Sequence, residues 1–239
     1  MATTPVENDA RRADGRTRRS QADRREETTA TILDAAEALF AHYGRDGVTL
    51  KAIATAAGVD TALVHYYFGD KDGVFQAIWA RRTSVLNPIR IAAMDGYEAR
   101  VGSALEIEGV LDTFLRPVFD TAFDNGEGWA NFAAIAGATN ASRFGGAALM
   151  DEHFDPIAER FVDMLRRVSP ATPDRDLYWF MHLLSGALTH SLAQTGRIDI
   201  LSRGVCRSSD MASALNMMIA VFSRGFAAID RSGSSNAAN

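Results

Sequence analysis

The side chains best suited to chemistry lie between Thr49 and Lys71. In TALVHYYFGDK, residues 61–71, four rings stand at consecutive positions, His65, Tyr66, Tyr67 and Phe68. The chain's two lysines, Lys51 and Lys71, bracket them. Consecutive positions on a helix point in different directions, so one buried face cannot take all four rings. Either the segment sits deep in a core or one face meets something flat, polar and not water. Phenol hydroxyls and an imidazole offer flat apolar bodies with hydrogen-bonding tips, which suits a wall of phosphate oxygens. Lys71 stands where a helix is expected to start, so backbone N–H groups add to its charge.

Other chemistries find little support. No nucleophile motif, paired-carboxylate pattern or phosphate loop is present, so no enzyme is expected. His182 and His190 are two helical turns apart and do not form a ligand pair. Asp151, Glu152, His153 and Asp155 are near-consecutive and diverge on a helix, so they read as a solvated helix start. There is no Cys/His spacing for zinc, and neither a metal nor a cofactor is expected. The single cysteine, Cys206, excludes an internal disulfide framework and suits the cytoplasm; it is expected as a small buried or half-buried side chain. No run approaches eighteen apolar residues and the start, MATTPVENDARR, has no apolar stretch, so neither a membrane span nor a secretory signal is expected.

The net charge of −5 over 239 residues hides a segregation. Seven arginines between Arg11 and Arg25 face only Asp14 and Asp23, whereas residues 83–239 are acidic on balance. That is the pattern of a chain with one end turned to a polyanion. Residues 1–21 are polar, Arg-rich and without periodicity, and read as a flexible arm.

Stepping along the rest, the apolar spacing is helical throughout, and no sustained alternation marks a strand. Ile32, Leu33, Ala36, Leu39, Phe40 and Tyr43 predict an amphipathic helix from about Glu26 that stops at Gly44. Thr49 caps a short helix, Leu50 to Ala57; Gly58 supplies a positive φ; Asp60 caps the next, Thr61 to about Tyr67. Asp70 caps a longer helix carrying Val74, Phe75, Ile78 and Leu86, ended or kinked at Pro88. Further helices are predicted over 105–123, 129–138 and 150–168, from the Thr172-Pro173 start to Leu192, and over 210–229. The sequence therefore predicts an all-α fold of roughly nine helices.

Two short helices joined by a glycine turn, backed by a longer one, make a helix-turn-helix over about 49–68. Val64 and Phe68 face inward with Val59. Thr61, Ala62, Leu63, His65, Tyr66 and Tyr67 remain for the outside and the edge of a helix that projects into a groove about one helix wide.

The run TLKAIATAAGVDTALVHYYFGDKDGVF resembles the DNA-binding signature of TetR-like transcriptional repressors. The resemblance rests on Thr49, Ile53-Ala54, Ala57-Gly58-Val59, Val64, Tyr67-Phe68, Lys71 and Val74, and spans roughly residues 24–84. Asp60 stands where that family usually has a serine cap, and His65 where it commonly has a tyrosine; both departures bear on the operator sequence. The resemblance implies a three-helix DNA-binding domain (residues 22–84) and a larger helical domain (85–239) that dimerises and binds an effector. By position, Lys51, Thr61, Ala62, Leu63 and His65 are similar to its groove contacts, and Thr49, Tyr66, Tyr67 and Lys71 to its phosphate contacts. Leu63 either touches a thymine methyl or packs against the stem of Lys51.

The resemblance further implies double-stranded operator DNA as partner, and a homodimer through about Asp174–Leu192 and Asp210–Ile229. It also implies a small-molecule effector. Phe114, Phe119, Trp129, Phe132, Met150, Phe161, Trp179 and His182 are its candidate contacts, which would favour an apolar or aromatic molecule; each is also an ordinary core residue type. Repression relieved by a ligand, activation and ligand-independent repression all remain open at this point.

Overall fold

The structure, a computed structural model, describes residues 21–124, 126–142 and 152–236. Ten α-helices and no strand are found among them. They are α1 (Gln21–Tyr43), α2 (Leu50–Ala57), α3 (Thr61–Phe68), α4 (Lys71–Val101) and α5 (Ile107–Asp124). Next come α6 (Glu127–Asn140), α7 (Asp155–Val168), α8 (Asp174–Leu192), α9 (Arg197–Leu201) and α10 (Met211–Asn236). The five-residue α9 is the helix that periodicity misses. The arm expected over 1–21 lies, apart from Gln21, outside the described residues.

Side chains gather in two cores. The first joins α1, α2, α3 and the front half of α4: Ile32, Phe40, Ile53, Val64, Val74 and Trp79 are all buried there. Phe132 and Ile135 of α6 complete it. The second core lies among the rear of α4, α5, α7, α8 and α10.

Helix α4 belongs to both cores. It does not end at Pro88 but runs to Val101, with Leu86, Arg90, Met94 and Tyr97 on its buried side. Tyr97 Oη closes the α4–α5 turn, accepting from Glu106 N at 3.0 Å. At the start of α8 it is Pro173 that stands at the cap and Asp174 that opens the helix. Thr172 does not cap: its hydroxyl instead pairs with Ser169 Oγ at 2.7 Å.

One charged cluster pins α1 to α4. Glu37 is fully buried and takes both arginines of α4's third turn. Arg82 Nε donates to Glu37 Oε1 at 2.8 Å, Arg82 Nη2 pairs with Oε2, and Arg81 Nη2 lies 2.7 Å from Oε1. Arg82 also lies over the Trp129 ring, 4.7 Å from its centroid, which draws α6 into the cluster.

Helix α10 is long and apolar enough to cross a membrane by length and composition, with a mean hydropathy of 1.4 over Met211–Ile229. No such helix was expected, because its apolar positions are not consecutive. In the fold it divides lengthwise: Leu215, Met218 and Phe226 enter the second core, while Met217 and Val221 face outward.

The cluster around Glu37 should dominate the α1–α4 contact. Glu37→Ala takes the buried carboxylate from Arg82 and leaves Arg81 with the exposed Asp34, and should cost about 3 kcal/mol in urea unfolding. Asp34→Ala removes only the exposed partner of Arg81, 2.8 Å away, and should cost less than about 1 kcal/mol. Equal losses for the two variants would show that burial of Glu37 does not matter.

Candidate nucleic-acid interface

The site is built from cap chemistry. Thr49 Oγ1 accepts from Ala52 N at 3.2 Å, Asp60 Oδ1 from Ala62 N at 2.7 Å, and Asp70 Oδ1 from Gly73 N at 2.8 Å. Each cap satisfies an N–H that the first turn of a helix cannot pair internally. Between α2 and α3, Gly58 has φ +67°, and Val59 N reaches back to Ala54 O at 3.0 Å. This left-handed stop lets two short helices meet at a steep angle.

Helix α3 is held by its inner face. Val64 is fully buried, Phe68 and Val59 are half-buried, and Tyr67 packs against the first core. Ala62, His65 and Tyr66 are exposed, Tyr66 to 76%. Thr61 and Leu63 are half-buried at the edge, and Thr49 and Lys51 are exposed beside them. All nine proposed contact positions therefore cluster on α2, α3 and the flanking caps, with Lys71 half-buried at the start of α4.

Besides the Thr49 cap, His65, Lys71 and Tyr67 have local partners. His65 Nδ1 lies 2.6 Å from Gly69 O. A carbonyl only accepts, so Nδ1 carries the proton and donates it to Gly69 O. Lys71 Nζ donates to Arg45 O at 2.9 Å, which fixes the α1–α2 loop and leaves two ammonium protons. Tyr67 lies under the guanidinium of Arg25, 5.6 Å from its ring centroid. Arg25, the last of the arginine run read as turned to a polyanion, is thus a cation at this surface, although it was not among the expected contact positions.

The residues proposed around an effector do not form one cluster. Phe114 and Phe161 pack at 4.2 Å, and Phe119 is buried in the same second core. Phe132 belongs to the first core, 5.3 Å from Trp79, and Trp129 touches both cores. Trp179 is 56% exposed and shares a surface cleft with Arg175, Tyr178 and His182. Met150 lies outside the described residues, as does Asp151; His153 stacks on Trp79 at 5.9 Å. Cys206 is exposed, not buried, in the loop after α9.

A cavity of about 100 Å³ does lie in the second core, walled by Leu86, Arg90, Phe114, Phe154, Met181 and Leu188. Of the proposed residues only Phe114 lines it. Arg90 and Phe154 were missed, although Leu86, Arg90, Met94 and Tyr97 continue the helical stripe past Pro88. Alongside is an open cleft of about 810 Å³ between α6 and α8; Asn140, Ala158, Met181, Ser185 and Thr189 wall both spaces.

Residues 32–78 match the profile of bacterial regulatory proteins of the tetR family, and residues 112–225 that of the tetracyclin repressor-like C-terminal domain. Together these take in about two thirds of the chain. The chain belongs to the tetR family. Among curated relatives, the HTH-type transcriptional regulator BetI of Burkholderia mallei is 35% identical over 85 residues, 32% of this chain and 42% of that protein. The HTH-type transcriptional repressor Rv1474c of Mycobacterium tuberculosis is 31% identical over 83 residues, 35% of this chain and 42% of that protein. The chain spans about half the length of the curated relatives it matches. Among solved structures, a TetR-like transcriptional regulator from Rhodococcus sp. RHA1 superposes with a TM-score of 0.57 at 18% identity, over 88% of this chain and 99% of that one. That likeness concerns the tetR-family fold.

In this tetR-family head the turn at Gly58 carries a simple expectation. A Cβ there meets nothing within 4 Å, so Gly58→Ala adds no clash and only the left-handed backbone cost. The variant should lose about 1–2 kcal/mol in urea unfolding. An unchanged midpoint would mean that the turn relaxes freely.

Proposed function

We propose that this chain is a sequence-specific DNA-binding transcriptional regulator, a homodimeric repressor released from its operator by a small ligand. The observation that carries the reading is α3 itself. Its inner face is locked by Val64, and its outer face presents Ala62, His65 and Tyr66. Among the described residues the Tyr66 ring meets only that of its neighbour Tyr67, at 5.3 Å. A short rigid helix with a bare polar-aromatic face is what a major groove receives.

On this reading Lys51, Thr61, Ala62, Leu63 and His65 approach base edges. Thr49, Tyr66, Tyr67 and Lys71 hold phosphates, and Arg25 strengthens the same wall. The repressor direction draws support from the name of the Mycobacterium tuberculosis relative.

The outward faces of α8 and α10 support a two-fold partner. Trp179 and Leu183 (60% exposed) on one and Met217 and Val221 on the other form apolar surface that the described residues do not cover. Exposed Gly186 lets another backbone approach closely. These are different residues from Leu184, Leu188, Leu215 and Met218 on the same helices, which fill the chain's own core. A two-fold pair carries two heads, and to read one operator they must sit about 34–36 Å apart.

The second core supports ligand control through α4. Phe154 lies 5.7 Å from Trp79 of the first core and 5.8 Å from the guanidinium of Arg90 at the cavity. A ligand that favours one placement of these rings biases the helix that carries Lys71.

DNA selected from a random pool should converge on paired half-sites about one turn apart, as read by fluorescence anisotropy. Lys71→Ala should weaken the selected site nearly uniformly across sequences and reduce the logarithmic salt slope by roughly one per protomer. A pool that never converges, with an unchanged slope for Lys71→Ala, would overturn the reading.

A further inference from the structure

Arg90 is 4% exposed, yet no carboxylate pairs with it among the described residues. Its Nε is buried without an acceptor. The guanidinium is sandwiched by rings alone, 4.3 Å from the Phe114 centroid and 5.8 Å from that of Phe154. Burial pushes the group down from its ordinary range to about 9, so it remains a cation at neutral pH. Arginine is rarely buried without a counter-charge, because taking a cation out of water is costly unless it is paired.

The same side chain lines the cavity. Most of the wall is apolar; Asn140, Ser185 and Thr189 are its other polar members. Asn140 Nδ2 reaches Thr189 Oγ1 at only 3.4 Å, which leaves the amide with a further donor. At about 100 Å³ the space is smaller than an apolar cavity of about 150 Å³ that takes up benzene. It therefore has room for a short chain rather than for a ring.

We propose that this cavity is an anion site and that its ligand is a small organic monoanion, a carboxylate on a short apolar body, held by Arg90. The carboxylate meets the fork of the guanidinium while its hydrocarbon lies against Leu86, Val118, Leu188 and Leu192. The ligand class deepens the release mechanism proposed above and rests on it only for the effect on DNA.

The test is calorimetric titration of the full chain with acetate, butyrate, hexanoate and benzoate, each beside the alcohol of the same skeleton. At least one carboxylate should bind roughly ten- to hundredfold tighter than its alcohol, the margin of a charge-assisted pair. Arg90→Met should erase that margin while leaving the free protein as heat-stable as before or more so, because it removes an unpaired buried charge. Should Arg90→Met fail to fold, Arg90→Lys serves: the charge stays, the bidentate fork is lost, and the margin should shrink. No carboxylate outbinding its alcohol in the wild-type chain overturns the proposal, as does a margin that survives Arg90→Met. Operator affinity is measured separately by anisotropy. Tight carboxylate binding with no change in operator affinity would sink ligand release and leave the anion site standing.

Discussion

The rest of the structure depends on α4 being one unbroken helix. Its 31 residues extend about 46 Å at 1.5 Å per residue, and its two halves are buried in different cores. The front half fixes α3 through Val74 and Ile78, and the rear half forms a cavity wall through Leu86 and Arg90. A helix held on both sides transmits displacement as a rigid body, because packed interiors do not compress. Glu37 secures the front half by taking Arg81 and Arg82 together, and Arg82 in turn lies over Trp129. Even Gly128 belongs to this joint, since a Cβ there would collide with Arg82 Nη2. The contact between head and body is thus electrostatic at its edge and aromatic at its centre, where Trp79 meets Phe132, His153 and Phe154.

The head was legible because its signals are local. Thr49, Asp60 and Asp70 act within three residues of themselves, and Gly58 acts on the turn that contains it. Cap and turn chemistry of this kind is written in adjacent letters. The inward positions Ile53, Val64 and Val74 followed from helical periodicity alone. The all-α class and the family were readable for the same reason.

What escaped reading is tertiary. Nothing in the sequence of α6 says that Phe132 and Ile135 fill the head's core while Ala133 faces the other. Pro88 is a helix-stop signal that α4 overrides, because packing on both sides outweighs one lost backbone bond. Arginine is expected at the surface and tryptophan inside, yet Arg90 is buried and Trp179 exposed. Both inversions carry information that composition averages away: among the described residues no carboxylate pairs with the buried Arg90, and the ring of Trp179 lies largely uncovered on its helix face.

The cavity at Arg90 and the open cleft beside it share Asn140, Ala158, Met181, Ser185 and Thr189 as a common wall. The cleft is bounded further out by Tyr178, His182, Gly186 and His190, which lie along the exposed stripe of α8. If a second copy seats on that stripe, it roofs the cleft that shares a wall with the cavity at Arg90. Ligand entry and protomer pairing then draw on the same few residues of α8. The coupling is reciprocal by thermodynamic necessity: a ligand that reshapes the shared wall alters the pairing, and the pairing sets how readily the wall admits the ligand. Two heads borne on α4 would then respond to the cavity by two routes, one along the helix and one through the spacing of the pair.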